Sequence, residues 1–273
     1  RGCRPVKFLS KFYVGLIYFF LYIPIAVLIF FSFNQSKSRT LFTGFTMKWY
    51  EKLFTNDIII NSVINTLIVA LIAGVIATVL GTMAAIGISA FNRKMKELVM
   101  NVSYLPIINP DIITGVSLML LFLFLRVELG YTTLILAHIA FNVPIVIFNV
   151  LPKIGQMDKN VYNAALDLGC NRRQAFFKVM LPEIMPGVMA GFLLSVTYSF
   201  DDFVVSYFTS GPTSQVLSVV IYSMTRLKVS PEINALSTIM FAVVLIILLS
   251  VNVFEIRKEK RLMQRRRGGG SWL

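Results

Sequence analysis

Six apolar runs, each about as long as a bilayer crossing, constrain this chain more than any other feature. A helix needs about 20 mainly apolar residues to cross a hydrocarbon core of roughly 30 Å. Runs of that kind fall at residues 12–33, 62–91, 98–125, 133–151, 186–208 and 233–254. Inside lipid no water is at hand for backbone N–H and C=O groups, so helices that close their own hydrogen bonds are the expected form. With 56% of its 273 residues hydrophobic, the chain reads as an all-α polytopic membrane protein with six transmembrane helices. The first run is too long for a signal-peptide core and lacks a small-x-small exit, so it is read as a retained span.

The net charge of +13 would point to nucleic acid in a soluble protein. Here the distribution of charge excludes that reading. Four Lys or Arg precede the first run, three sit in the turn 92–97, five lie in residues 152–187 and seven in the tail 257–267. The other side of the membrane holds seven. Positive charge gathers on the cytoplasmic face. The N-terminal segment 1–11, the polar corner 158–187 and the basic tail 257–273 are therefore assigned to the cytoplasm, with both termini. Residues 12–256 form one six-span domain between them. The last six residues, Gly268 to Leu273, are linker-like in composition and are set aside. Cys3 and Cys170 are far apart and predict neither a disulfide nor a metal site.

Several spans carry local signals. Span 62–91 is rich in Gly and Ala, which permit close helix approach in lipid. Pro106 and Pro110 interrupt span 98–125, and a broken helix at membrane depth needs protein or a water-filled cavity beside it. His138, the one histidine, reads as packed and hydrogen-bonded rather than as a ligand. Before the second span, Trp49-Tyr50-Glu51-Lys52-Leu53-Phe54 suits a short amphipathic helix with Trp49 at headgroup level. A place for Trp49 in an outer substrate entrance is the alternative.

Three acids fall within spans: Asp111, Asp201 and Asp202. Each costs roughly 2.5–3.5 kcal/mol at a helix centre, so such residues face a cavity or a partner. No Lys or Arg lies inside a span to neutralise them. Ser195, Ser199, Asp202, Ser206 and Thr209 recur at helical spacing as a polar stripe on the fifth span. Tyr198 sits one turn before both Asp201 and Asp202, and an aromatic face beside carboxylates suits an ammonium group by roughly 0.5–2 kcal/mol. The substrate path is therefore assigned to Asp111, Tyr198, Ser199, Asp201, Asp202 and Trp49. The stripe also fits hydrogen bonding between helices, and Asn109-Pro110-Asp111 also fits a helix start.

The polar corner predicts two short helices. Asp158 caps the first, which continues through Leu168 with Val161, Ala164, Ala165 and Leu168 on one face. Gly169 provides a left-handed stop. Asn171 caps a second helix, 172–180, expected to end before Leu181-Pro182. The run Ala164-Ala165-x-Asp167-Leu168-Gly169 followed by Leu181-Pro182 resembles the EAA loop of permease subunits in ATP-binding-cassette importers. One position departs, since the family's leading Glu is Asn163 here. The segments Ser199-Phe200-Asp201-Asp202-Phe203-Val204-Val205, Val229-Ser230-Pro231-Glu232-Ile233-Asn234-Ala235 and Trp49 to Phe54 are similar to permeases of spermidine/putrescine importers.

The resemblance implies a type I importer (MetI-like) fold in a bacterial cell membrane. It implies that Asn163, Ala164, Ala165, Asp167, Leu168, Gly169, Leu181 and Pro182 dock on an ATPase. The partners it implies are a paralogous permease, two ATPase subunits holding ATP and Mg, and an extracytoplasmic polyamine-binding protein. This chain carries no G-x-x-x-x-G-K-[ST] run to cradle phosphates, so it is expected to bind no cofactor and to catalyse no reaction itself. A secondary transporter driven by an ion gradient is the rival reading, and so is an importer permease for another substrate. The first would use the same acids as proton or cation sites and need no ATPase.

Overall fold

Where the sequence is apolar the chain is helical, and the helices break where proline or aspartate offers another way to satisfy the backbone. The computed structural model describes residues 4–36, 41–227, 231–246 and 249. In order the helices are α1 (Arg4–Ser32), α2 (Lys48–Phe54), α3 (Asp57–Ser89), α4 (Arg93–Ile108), α5 (Asp111–Phe124) and α6 (Tyr131–Gln156). There follow α7 (Lys159–Asp167), α8 (Arg172–Ala175), α9 (Leu181–Asp201), α10 (Val204–Thr209), α11 (Leu217–Leu227) and α12 (Pro231–Ile246). Four stretches are long and apolar enough to cross a membrane: Lys11–Ser32, Asp57–Ser89, Tyr131–Gln156 and Arg172–Asp201. The α4–α5 pair makes a fifth if its 99° bend is counted within one span. The sixth run is described only as α12. Apart from Leu249, the rest of 233–254 and the tail 257–273 lie outside the described residues, as do residues 1–3 with Cys3.

The chain divides into two units, residues 1–57 with 224–273 and residues 58–223. In the first, Asn34 organises the stretch after α1. Its Oδ1 accepts from the Thr43 N–H at 2.9 Å, and its Nδ2 donates to the Leu41 carbonyl at 2.8 Å. The Trp49 indole N–H donates to the Asn34 carbonyl at 2.7 Å. Trp49 is 5% exposed, so its ring is packed in protein rather than laid at a headgroup boundary. Lys52 is paired with the buried Glu232 at the start of α12.

In the second unit α6 is the central helix. Val146, Ile147, Val150, Leu151 and Ile154 on α6 pack with Ala85 and Ile88 of α3 and Ile184 of α9. Small residues set the spacing. A Cβ at Gly81 would stand 2.6 Å from Val146 Cβ, and one at Gly187 would stand 2.7 Å from the Asn149 carbonyl oxygen. Elsewhere in the unit, α5 packs on α10 through Gly115, where a Cβ would meet Phe208 at 3.0 Å.

Three expectations from the sequence need correction. The second corner helix does not end before Leu181-Pro182; Arg172–Asp201 runs on as one span. Pro182 has no N–H to give to the carbonyl four residues back. The turn Phe176–Met180 widens into a π-turn, with the Leu181 N–H donating to the Phe176 carbonyl, and the chain passes through without a corner. The fifth span does not continue unbroken to residue 208. It stops at Asp201, and Asp202 starts a new short helix. The region 209–232, left between the fifth and sixth apolar runs and so expected to be a loop, contains α11.

Candidate functional site

Two helix breaks in the second unit meet at one cavity. The first is Asn109–Pro110, between α4 and α5. Pro110 is extended at φ −56, ψ 134, and Asp111 opens α5. Proline sets this stop because the residue ahead of it is pushed out of helical conformation. The second is Asp202–Phe203, between α9 and α10. Here the Asp202 carboxylate turns onto the free N–H groups of α10, accepting from Ser206 N at 2.7 Å and Val205 N at 3.3 Å. Its backbone carbonyl accepts from Ser218 Oγ at 2.7 Å. Asp202 thus fixes both sides of its own break.

The cavity between the breaks has a volume of about 410 Å³. Asp111, Tyr198, Asp201 and Asp202 all line it, with Phe141 and Ile145 of α6 forming an apolar wall. Asp111 and Asp201 are exposed, and neither has a hydrogen-bond or ion-pair partner among the described residues. Tyr198 is 55% exposed. Two unneutralised carboxylates and an aromatic face, walled by apolar side chains, form a seat for a cation.

Two of the residues assigned to the path are not among those lining this cavity. Ser199 is buried and accepts from Asn142 Nδ2 at 2.7 Å. Trp49 belongs to the other unit. Ser206 and Thr209 of the stripe also bond between helices, whereas the buried Ser195 Oγ has no hydrogen-bond partner among the described residues. Ser206 Oγ lies 3.0 Å from His138 Nε2, and the Thr133 hydroxyl donates to the Thr209 carbonyl at 2.8 Å. His138 is fully buried and packed, as its sequence context implied. The wall residues Ile107, Phe141 and Ile145 carried no signal in the sequence, because an apolar residue facing a cavity looks like one facing lipid.

At the polar corner, Asp158 caps α7 by accepting from Asn160 N at 2.9 Å. Gly169 follows α7 at φ +89, and the Cys170 N–H donates to the Ala165 carbonyl at 3.0 Å. Asn171 and Gln174 form a reciprocal cap on α8, at 2.8 and 3.0 Å. Val161, Ala164 and Leu168 share an outward face of the corner, and Leu168 is 87% exposed. Asn163 and Asp167 are exposed as well, whereas Ala165 is half-buried. Leu181 and Pro182 belong to the transmembrane helix rather than to the corner.

The bent corner and the broken-helix cavity are compatible with the resemblance drawn from the sequence, and comparison with known proteins decides the matter. Residues 77–262 match the family model described as the binding-protein-dependent transport system inner membrane component. The chain belongs to that family. It is 36% identical over 244 residues to the spermidine/putrescine transport system permease protein PotC of Escherichia coli K12, covering 89% of this chain and 92% of that protein. It is also 36% identical over 260 residues to the putrescine transport system permease protein PotI of the same strain, covering 92% of each. Among solved structures it is similar to a bacterial ABC transporter involved in import of the acidic polysaccharide alginate. There the TM-score is 0.71 at 19% identity, over 92% of this chain and 95% of that one. An amino acid ABC transporter with histidines gives a TM-score of 0.56 at 16% identity, over 78% and 99%. The fold is that of an ABC-importer permease, and this inner-membrane component is a transport subunit rather than an enzyme.

Proposed function

We propose that this permease forms half of the translocation path of an ATP-driven polyamine importer. The carrying observation is the cavity in which Asp111, Asp201 and Tyr198 stand together without a cationic partner among the described residues. The fold alone does not choose a substrate, since a neighbour of the same fold serves an acidic polysaccharide. The charge of the site supports a cation. Carboxylates repel a polyanion and hold an ammonium chain, and the similar PotC and PotI proteins are named for spermidine and putrescine.

The assembly we infer adds a paralogous permease, two ATPase subunits with ATP and Mg, and an extracytoplasmic polyamine-binding protein. One related solved structure includes an alginate-bound periplasmic protein. The charge asymmetry supports a cytoplasmic location for the termini and the corner. Val161, Ala164 and Leu168 then meet the ATPase, with Asn163, Asp167 and Gly169 at the edge of the contact. Small side chains let that surface approach the α7 backbone closely. Nucleotide-driven closure of the ATPases moves the corner, and the π-turn passes this motion directly into α9, whose far end carries Tyr198 and Asp201.

The deciding experiment is uptake by the reconstituted complex across labelled polyamines, amino acids and oligosaccharides. ATP-dependent uptake confined to polyamines is expected. Uptake that needs only an ion gradient, or that prefers a neutral or acidic solute, overturns the proposal.

The corner gives a second expected result. A Cβ at Gly169 would touch nothing within 4 Å, so the glycine is needed for its positive φ alone. Gly169→Val places a β-branched residue in the left-handed region at a cost of about 1–2 kcal/mol, a shift of about tenfold in the corner's population. ATP hydrolysis should continue while uptake falls. Gly169→Asn, which tolerates that region, should retain uptake. Equal uptake by both variants removes the corner from the coupling step.

A further inference from the structure

The acidic cavity does not stand alone. Its wall residues Ile107, Ile145 and Tyr198 also line a second cavity of about 650 Å³. Among the described residues, no carboxylate lines the second cavity, and its one charged lining residue is Lys96. A third cavity, of about 380 Å³, shares Lys96, Leu151 and Gly155 with the second and reaches Tyr162 and Asn163 on α7. The three form a chain from the acids to the corner, with Lys96 where the last two meet.

Helix α4 is the rail of this chain. Lys96, Met100, Tyr104 and Ile107 are spaced 4, 4 and 3 and all line the second cavity. Lys96 therefore lies about 16 Å along the helix from Ile107. Tyr104 stacks on Phe148 at a centroid distance of 4.0 Å, which gives the middle of the route an aromatic wall. A lysine at the cytoplasmic end of a span is ordinarily just a topological anchor. Arg93 fits that description, with its side chain 93% exposed and paired to Glu97. Lys96 does not. It is half-buried, it forms no ion pair among the described residues, and it faces two cavities at once.

We propose that Lys96 is a release guard, a fixed positive charge at the inner mouth that weakens rebinding of polyamine from the cytoplasmic side. The inference rests on the polyamine reading above. A cation held by the acids is drawn toward them along the path. Beyond the shared wall at Ile107, Ile145 and Tyr198 it meets aromatic faces but no carboxylate among the described residues, and then a like charge. Outward-facing loading is expected to be little affected, because Lys96 does not line the acidic cavity. Back-binding from the cytoplasm is what it opposes.

The test loads proteoliposomes of the complete complex with increasing lumenal spermidine, the ATPases facing the lumen, and measures initial ATP-driven uptake of labelled spermidine. With the guard removed in Lys96→Gln, lumenal spermidine should inhibit at about five- to tenfold lower concentration, as expected for loss of a like charge within roughly a Debye length of the route. Lys96→Arg should match the original protein. Lys96→Met, which keeps the apolar stem, provides a second neutral variant should the glutamine protein assemble poorly. Superimposable lumenal inhibition curves for the lysine protein and a neutral variant overturn the proposal. Asp201→Asn is run in parallel. If it lowers uptake while the neutral variants leave inhibition unchanged, the guard alone fails. If it transports normally, the polyamine seat fails and the guard with it.

Discussion

Neutralising Asp201 should cut polyamine uptake at least about tenfold at subsaturating substrate, with the amount of inserted protein unchanged. The estimate follows from the chemistry of the seat. A hydrogen bond to a charged group is worth about 1.5–3 kcal/mol, and 1.4 kcal/mol is a factor of about ten. Asp201 is exposed to the cavity and holds up nothing else among the described residues, so Asp201→Asn should cost transport and not folding. Asp111→Asn should act in the same direction. If the two acids grip different ammonium groups, the double variant should lose about a hundredfold. If they share one, the losses will be smaller than the product.

Asp202 should behave differently although it is adjacent in sequence. Its oxygens are committed to Ser206 N and Val205 N. Removing an N-cap costs about 0.5–2 kcal/mol, so Asp202→Ala should lower the yield of folded protein. Asp202→Asn, which still caps, should restore it. The measurements are uptake in proteoliposomes at fixed subunit content and thermal stability of the purified subunit in detergent. Normal transport by the Asp111→Asn, Asp201→Asn double variant would remove both acids from the path.

That split between Asp201 and Asp202 marks how far the sequence alone could be read. The apolar runs located α1, α3, α6 and the span that includes α9, because lipid leaves the backbone no other form. Pro110 announced the bend before Asp111, and Asp158, Gly169 and Asn171 announced the corner, because caps act locally. The periodicity of the fifth span implied one continuous helix face, yet Asp202 ends that helix by capping α10. A helix-interior aspartate and an N-cap are the same letter until the chain direction is known. Pro182 misled in the opposite sense: a proline that stops most helices is absorbed here by the π-turn ahead of it. Ser199 showed the right periodicity and the wrong neighbour. It faces Asn142 across the helix seam, and only the packing of α6 against α9 reveals that.

The same seam carries the second large effect, since Gly187→Leu should abolish accumulation of folded subunit. A real Cβ essentially never approaches another heavy atom closer than 3.0 Å, and at Gly187 it would lie 2.7 Å from a backbone oxygen, that of Asn149, and 2.7 Å from Lys153 Cγ. The lysine stem can swing aside, but the carbonyl is held in the α6 ladder. The helices must therefore separate. In lipid no hydrophobic drive restores the contact, because close packing is itself the attraction. Overpacking of this kind costs about 1–3 kcal/mol or more, and a clash with backbone belongs at the upper end. Gly81→Leu should do the same from the α3 side, where Val146 Cβ and the Val143 carbonyl lie at 2.6 and 3.0 Å. Gly87→Leu, an exposed position with nothing within 4 Å, is the control and should accumulate normally. The readouts are monodisperse yield after detergent extraction and the unfolding midpoint. Any Gly187→Ala subunit that survives should transport poorly as well, because the α6–α9 spacing sets Phe141 and Ile145 against Tyr198 and Asp201. Equal yields for Gly187→Leu and Gly87→Leu would mean that the seam is looser than its geometry implies, and the cavity it frames would no longer have a fixed width.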